Sequence, residues 1–199
     1  MSASVNDSNN YVASAPVADD AVGVEILHWY IAVVSNRSEK KNAASLLALG
    51  YENFVAIQKE YHIWSNGKKK MVDRIVLPAM VFVRATEPDR KAVLANLPFI
   101  KRFVVDPARR NGFSSPVAVI PDEQMQTIQF MLENAESPVS FDGKGFRSGD
   151  RVRVVGGQLN GLEGTVRQSK EGKSRLYVSM DILGFAIVEM DRRYLKHIN

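Results

Sequence analysis

The 199-residue chain contains no cysteine, which removes disulfides, thiolate metal sites and cysteine nucleophiles and agrees with a reducing compartment. It has no apolar run near the roughly 20 residues that span a bilayer as a helix, so no membrane partner is expected. The N-terminal stretch has neither a basic n-region nor an apolar h-region, and a cytoplasmic location is expected in place of secretion. Histidine is scarce. His28, His62 and His197 fall in different elements at no metal-ligand spacing, so neither a zinc site nor a nucleophile-base pair is expected. Gly172-Lys173-Ser174 ends like a phosphate-binding loop, but the position that must hold the motif's first glycine is Arg167. Acid pairs such as Glu189 and Asp191 stand in surface-like strand contexts, where solvated charge is the usual explanation. We therefore expect no catalytic residue, no cofactor, no metal and no enzyme activity.

What is present is a 45% hydrophobic composition, enough for one or two domains with real cores. The formal net charge of +4 hides a division along the chain. Residues 1–27 hold four acids and no bases; 28–120 hold fifteen bases and seven acids; 121–140 hold four acids; 141–199 hold eleven bases and seven acids. Two basic modules are separated by an acidic segment, and basic surfaces attract polyanions by long-range fields and counterion release.

The most informative stretch is Gly149-Asp150-Arg151-Val152-Arg153-Val154-Val155-Gly156-Gly157, continuing to Val166. Val152 and Val154 alternate with Arg151 and Arg153, the period of a half-buried strand. Gly156 and Gly157 stop it, Gly161 and Gly164 punctuate the loop, and a second strand restarts at Thr165. On this stretch alone an ordinary β-hairpin is the alternative. The spacing resembles the KOW motif of the NusG family of transcription elongation factors.

Taken in order, residues 1–25 show no periodic apolar pattern and are expected to be a disordered tail. A first domain is expected over 26–132. His28 to Val34 reads as a central strand; Ser38 is a candidate N-cap for a helix that ends before Gly50; Tyr51 to Ile57 returns as a strand. Asn66-Gly67 marks a hairpin with Lys68, Lys69 and Lys70 at or just beyond its tip. Arg74 to Arg84 is a strand interrupted at Pro78, Glu87-Pro88-Asp89 opens a helix, Phe99 to Val105 is a further strand, Pro107 to Pro116 a basic loop, and Pro121 begins a last helix. The order is that of a ferredoxin-like split βαβ sandwich, with one sheet face taking the helices and the other free to bind. Residues 133–145 have linker composition. Residues 146–199 supply about five short strands joined by turns at Lys170 to Lys173 and Asp181 to Gly184, an SH3-like β-barrel. The fold class expected is α+β, a sandwich followed by a small barrel.

The Trp29-Tyr30 start, the helix after Ser38, Pro78 followed by the Met80 to Val83 strand, and the Val117 to Ile120 entry to the last helix look like the N-terminal domain of the NusG family. The resemblance covers roughly 28–132, and the KOW motif covers the end. It implies a monomer that binds RNA polymerase at the clamp helices of the largest subunit and suppresses pausing, through Trp29, Leu77, Pro78, Met80 and Phe82. The family pattern there is aromatic-Pro-Gly-aromatic; this chain has Leu77-Pro78-Ala79-Met80, which keeps the apolar character without the rings. A core role is the alternative for these residues. Arg74, Arg84, Lys101, Arg102, Arg109 and Arg110 are candidates for upstream or non-template DNA by phosphate pairing, with solvated surface as the alternative. Ile182-Leu183-Gly184 matches a turn where relatives carry Ile-Phe-Gly and meet Rho or a small-subunit ribosomal protein. These departures favour an operon-specific antiterminator similar to the RfaH and UpxY groups; the alternatives are a general housekeeping factor and a KOW-containing RNA-binding protein associated with the ribosome.

Overall fold

The aromatic and β-branched run near the start of the basic region forms β1 (His28–Val33), with Trp29 to Ala32 buried on both faces of the strand. A computed structural model describes residues 26–112, 115–143, 149–168 and 173–198. The expected tail over 1–25 and most of the turn over 170–173 lie outside the described residues. β1 is central because residues of both parities are apolar, as a strand covered on two sides requires. It pairs antiparallel with β5 (Met80–Ala85) on one side and with β6 (Arg102–Phe103) and β7 (Val119–Ile120) on the other, while β2 (Asn53–Phe54) pairs with β5. The resulting sheet order is β2-β5-β1-β6, the arrangement of a split βαβ sandwich. The expected strand at Phe99 to Val105 is regular only over two residues, although Lys101 and Val104 N–H groups still donate to Val33 and Ile31.

Three helices cover this sheet: α1 (Glu39–Ala48), α2 (Glu87–Asn96) and α3 (Asp122–Asn134). Tyr30, Ala32, Val81 and Val83 face Leu46 of α1 and Val93 of α2 in one core. Trp29, Ile31 and Phe82 share a second core with Met125, Ile128, Met131 and Leu132 of α3. The sheet face expected to be free is therefore covered. Its odd-numbered β1 residues are as apolar as the even ones, and such a face must be buried against another layer. Helix starts differ from expectation at one place. Thr86 accepts the Asp89 N–H at 3.2 Å and caps α2, whereas the Ser38 hydroxyl donates to the Ser35 carbonyl at 2.6 Å and makes no cap bond to α1. On α2, the buried Arg90 guanidinium donates from two nitrogens to Glu87, at 2.7 and 2.6 Å. Those bonds hold the Glu87 carboxyl down at about 2.

The Arg74 to Arg84 stretch divides at Pro78 into two sheets. β3 (Ile57–Ile63) and β4 (Lys69–Ile75) form a two-stranded arm of their own, and the chain turns back into the main sheet only at β5. The arm closes through a three-residue loop: the Trp64 N–H donates to Lys68 at 3.0 Å, the Gly67 N–H to Trp64 at 2.9 Å, and Gly67 has φ +77°, a conformation glycine adopts without strain.

The C-terminal module is a six-stranded antiparallel sheet in the order β13-β9-β10-β11-β12-β8, built from β8 (Ser140–Asp142), β9 (Asp150–Val154), β10 (Glu163–Gln168), β11 (Ser174–Met180), β12 (Gly184–Met190) and β13 (Leu195–His197). Val152 and Val154 are fully buried while Arg151 and Arg153 face out, as the alternation predicts, and Arg153 pairs with Glu163 across the ladder.

Residues 133–145, with linker composition, hold more structure than that composition suggests. α3 runs to Asn134, and the backbone that follows is gripped by side chains from the root of the arm. Gln58 donates to the Ser137 carbonyl at 3.0 Å and accepts the Val139 N–H at 2.8 Å, and Arg74 donates to the Val139 carbonyl at 2.8 Å. Ser140 to Asp142 then pairs with β12. The two modules meet: buried residues of both belong to one apolar cluster, and the Asp181 N–H donates to the Gln124 side chain of α3 at 3.2 Å.

Candidate functional site

The loop between β4 and β5 is held from beneath by a buried carboxylate. Glu39, at the start of α1, is 0% exposed and accepts the Ala79 N–H at 2.6 Å, while the Val34 N–H donates to the Ala79 carbonyl at 2.9 Å. Both sides of the Ala79 residue are thus fixed, and its φ is +60°, a region costly to any side chain with a Cβ. Ala79→Gly is expected to raise stability by roughly 0.5–1 kcal/mol, the relief of left-handed strain less the greater freedom of an unfolded glycine. A urea midpoint that stays put or falls would show that the Glu39 clamp holds Ala79 without strain.

This geometry divides the five candidate polymerase-binding residues. Trp29 and Phe82 are core, and Leu77, only 7% exposed, is buried with them. Pro78 is exposed and Met80 half-buried at the rim of the same cluster. An accessible contact made here by the loop is made by Pro78 and Met80.

The basic candidates also separate. Arg74 is occupied with Gln58 and Val139, and its Nε lies 2.8 Å from Glu60. Arg84 lies 3.2 Å from Glu52 and 3.7 Å from Asp122, with its guanidinium 5.9 Å from the Trp29 ring. Lys101, Arg102, Arg109 and Arg110 are exposed and follow one another along the edge strand β6 and the connection after it. Arg109 is 3.4 Å from Asp106, and Arg110 donates to the Gly112 carbonyl at 3.0 Å. Lys101, Arg102, Arg109 and Arg110 are thus the exposed members of the six, while Arg74 and Arg84 are half-buried and engaged with protein partners.

In the second module, Ile182 and Leu183 are half-buried against the shared apolar cluster, next to the Asp181 bond to α3. Gly184 opens β12 with φ +80°. A cleft of about 580 Å³ runs between the end of α3 and this module, lined in part by Asn134, Ser137, Lys173, Glu189, Asp191 and Tyr194. Two of its acids are engaged: bonds from Arg175 and Lys173 lower the Glu189 carboxyl, and bonds from Arg193 lower that of Asp191. Carboxylates held this way are poor proton acceptors near neutrality. Among the described residues no three His, Asp or Glu side chains gather as a metal site.

Two features escaped the sequence reading. Gln58 and Arg74 reach residues 65 to 81 positions away, for which local sequence carries no signal. The arm between β3 and β4 exposes Tyr61, Ile63, Trp64 and Met71, and the mixture of aromatics and lysines around Asn66-Gly67 was the available sign.

The family model described as "Transcription termination factor nusG" matches residues 27–129. The chain is 26% identical over 186 residues to the transcription termination/antitermination protein NusG of Borreliella burgdorferi, covering 85% of this chain and 98% of that protein. It is 24% identical over 167 residues to the protein of the same name from Halalkalibacterium halodurans, covering 79% and 90%. A solved structure described as "Domain interaction in Thermotoga maritima NusG" is similar at a TM-score of 0.49 and 18% identity, over 87% of this chain and 98% of that one.

Proposed function

This chain belongs to the NusG family of transcription termination/antitermination factors, and from that premise we propose that it binds RNA polymerase at the clamp helices of the largest subunit and suppresses pausing or termination, at particular operons in place of the whole genome. Proteins of this family are non-enzymatic transcription factors that bind RNA polymerase. The observation that carries the reading is the clamped loop: an exposed Pro78 and a half-buried Met80, fixed by Glu39 at the edge of a large apolar cluster. A short rigid apolar ridge suits a helical partner, and methionine adapts to irregular surfaces. The exposed series Lys101, Arg102, Arg109 and Arg110 would lie along upstream or non-template DNA. Leu183, where relatives place Phe, favours specialisation over a Rho contact through the turn at Ile182 to Gly184; a ribosomal protein is the other partner open to that turn.

The test is co-purification of wild type and Met80→Glu with core RNA polymerase, followed by a pause assay on the bound fraction. Met80 is only half-buried, so the variant is expected to fold, to lose binding by about tenfold or more, the scale of a hot-spot residue, and to lose pause suppression with it. A folded wild type that ignores polymerase and associates with ribosomal RNA would replace this reading with that of a ribosome-associated protein.

A further inference from the structure

Beneath the turn from Leu77 to Met80 lies a side chain that no partner can touch. Glu39 is 0% exposed, and withdrawing a carboxylate from water carries a cost that its bonds must offset. Its Oε1 accepts the Ala79 N–H at 2.6 Å, while Oε2 is buried with no hydrogen-bond partner among the described residues. A position that needed only to be filled is served better by an apolar side chain of similar size. What the carboxylate contributes is therefore its one bond to the backbone. The residue after it, Lys40, lies 2.6 Å from Asp73 of β4, so the first turn of α1 is tied to the strand that leads into the turn.

The backbone that receives this bond is the part of the turn least able to hold itself. On one side the Val76 N–H donates to the Ala56 carbonyl at 2.8 Å, and on the other Met80 pairs with Val33 across the ladder. Between these anchors Ala79 holds φ +60°, where the Cβ of alanine crowds its own backbone and a glycine meets no such conflict. Among the described residues, Glu39 is the one side chain bonded to the backbone of Leu77, Pro78 or Ala79. Released from it, Ala79 is free to leave the left-handed region. Pro78 and Met80, one residue to either side, then turn with it.

We propose that Glu39 is a positioning residue for the polymerase contact: by holding Ala79 left-handed it sets the presentation of Pro78 and Met80, and with it the affinity, without meeting the partner. The inference rests on the polymerase reading above and adds to it a residue outside the contact that acts through a single backbone bond. It carries a specific demand. Glu39 and Ala79 must be energetically coupled, because a glycine in place of Ala79 takes the same conformation without being held.

The experiment is an equilibrium titration of the labelled full chain with core RNA polymerase, with urea unfolding of each variant beside it. Glu39→Leu fills the same space and offers no acceptor; it is expected to stay folded and to weaken binding about tenfold. Glu39→Gln keeps a carbonyl oxygen within reach of the Ala79 N–H and should recover most of that loss. Measured in the Ala79→Gly background, the loss caused by Glu39→Leu should shrink to about threefold or less. In the absence of polymerase, the Ala79 amide proton should exchange slowly in wild type and lose that protection in Glu39→Leu. A role in stability alone would lower the urea midpoint and leave the affinity of the folded protein where it was. The inference is overturned if folded Glu39→Leu binds polymerase as tightly as wild type, or if its loss is as large in the Ala79→Gly background. A wild type that does not bind polymerase overturns the polymerase reading and this inference with it, so the wild-type titration tells the two failures apart.

Discussion

Replacing Gly184 by alanine is expected to tear β8 from the C-terminal sheet and to cost about 3–4 kcal/mol, the sum of a left-handed backbone forced on alanine and an overlap that needs backbone movement. The new Cβ would collide with the Asp142 carbonyl oxygen of the adjacent strand and lie 2.6 Å from the Gly143 Cα just beyond it, backbone atoms with no side-chain freedom to yield. Asp142, Phe141 and Ser140 would lose their register with Phe185, Ala186 and Ile187. A urea midpoint and amide exchange at Ile187 and Phe185 measure the effect. Gly161→Ala is the control, since φ there is +93° with nothing within 4 Å of the added Cβ, and it should lose only about 1–2 kcal/mol. Equal losses at both positions would show that the approach of Asp142 is not the cause.

A second large effect is expected at Leu77→Glu, which should destabilise the chain by about 3–5 kcal/mol. Leu77 is 7% exposed in a cluster with Trp29 and Phe82, so the substitution removes a buried aliphatic group and places an unpaired charge among apolar atoms. The neighbouring buried carboxylate of Glu39 already has one oxygen without a hydrogen-bond partner and offers no compensation. Loss of polymerase binding by this variant would therefore report unfolding, and Met80→Glu is the informative substitution. If Leu77→Glu melts like wild type, the side chain reaches solvent and belongs to the contact surface after all.

These two positions show what the sequence makes legible. The strands of the C-terminal module were readable because Val152 and Val154 alternate with arginines, and β1 because Trp29 to Val33 is apolar at every position; both are local patterns tied to strand geometry. The apolar identity of Leu77 was equally plain, but burial and surface contact ask for the same residue type, so sequence could not say on which side of the rim it stands. Arg74 is a candidate phosphate ligand, or solvated surface, in the sequence because its charge is visible and its partner Val139, 65 residues away, is not. The covering of the second sheet face by α3 follows from Met125, Ile128, Met131 and Leu132, a stripe visible in the sequence whose target was not. The clamp on Ala79 depends on Glu39, an acid that composition alone assigns to the surface.

The grip of Gln58 and Arg74 on Ser137 and Val139 ties the root of the arm to the strand that enters the C-terminal sheet. With β8 paired and Val139 hooked, the backbone from Ala135 to Asp142 is held by the first domain on one side and by β12 on the other. Unhooked, the five residues from Ala135 to Val139 could span at most about 18 Å, at the fully extended rise of roughly 3.3–3.6 Å per residue. A pull on the C-terminal module is thus shared between the root of the arm and the apolar cluster that both modules build.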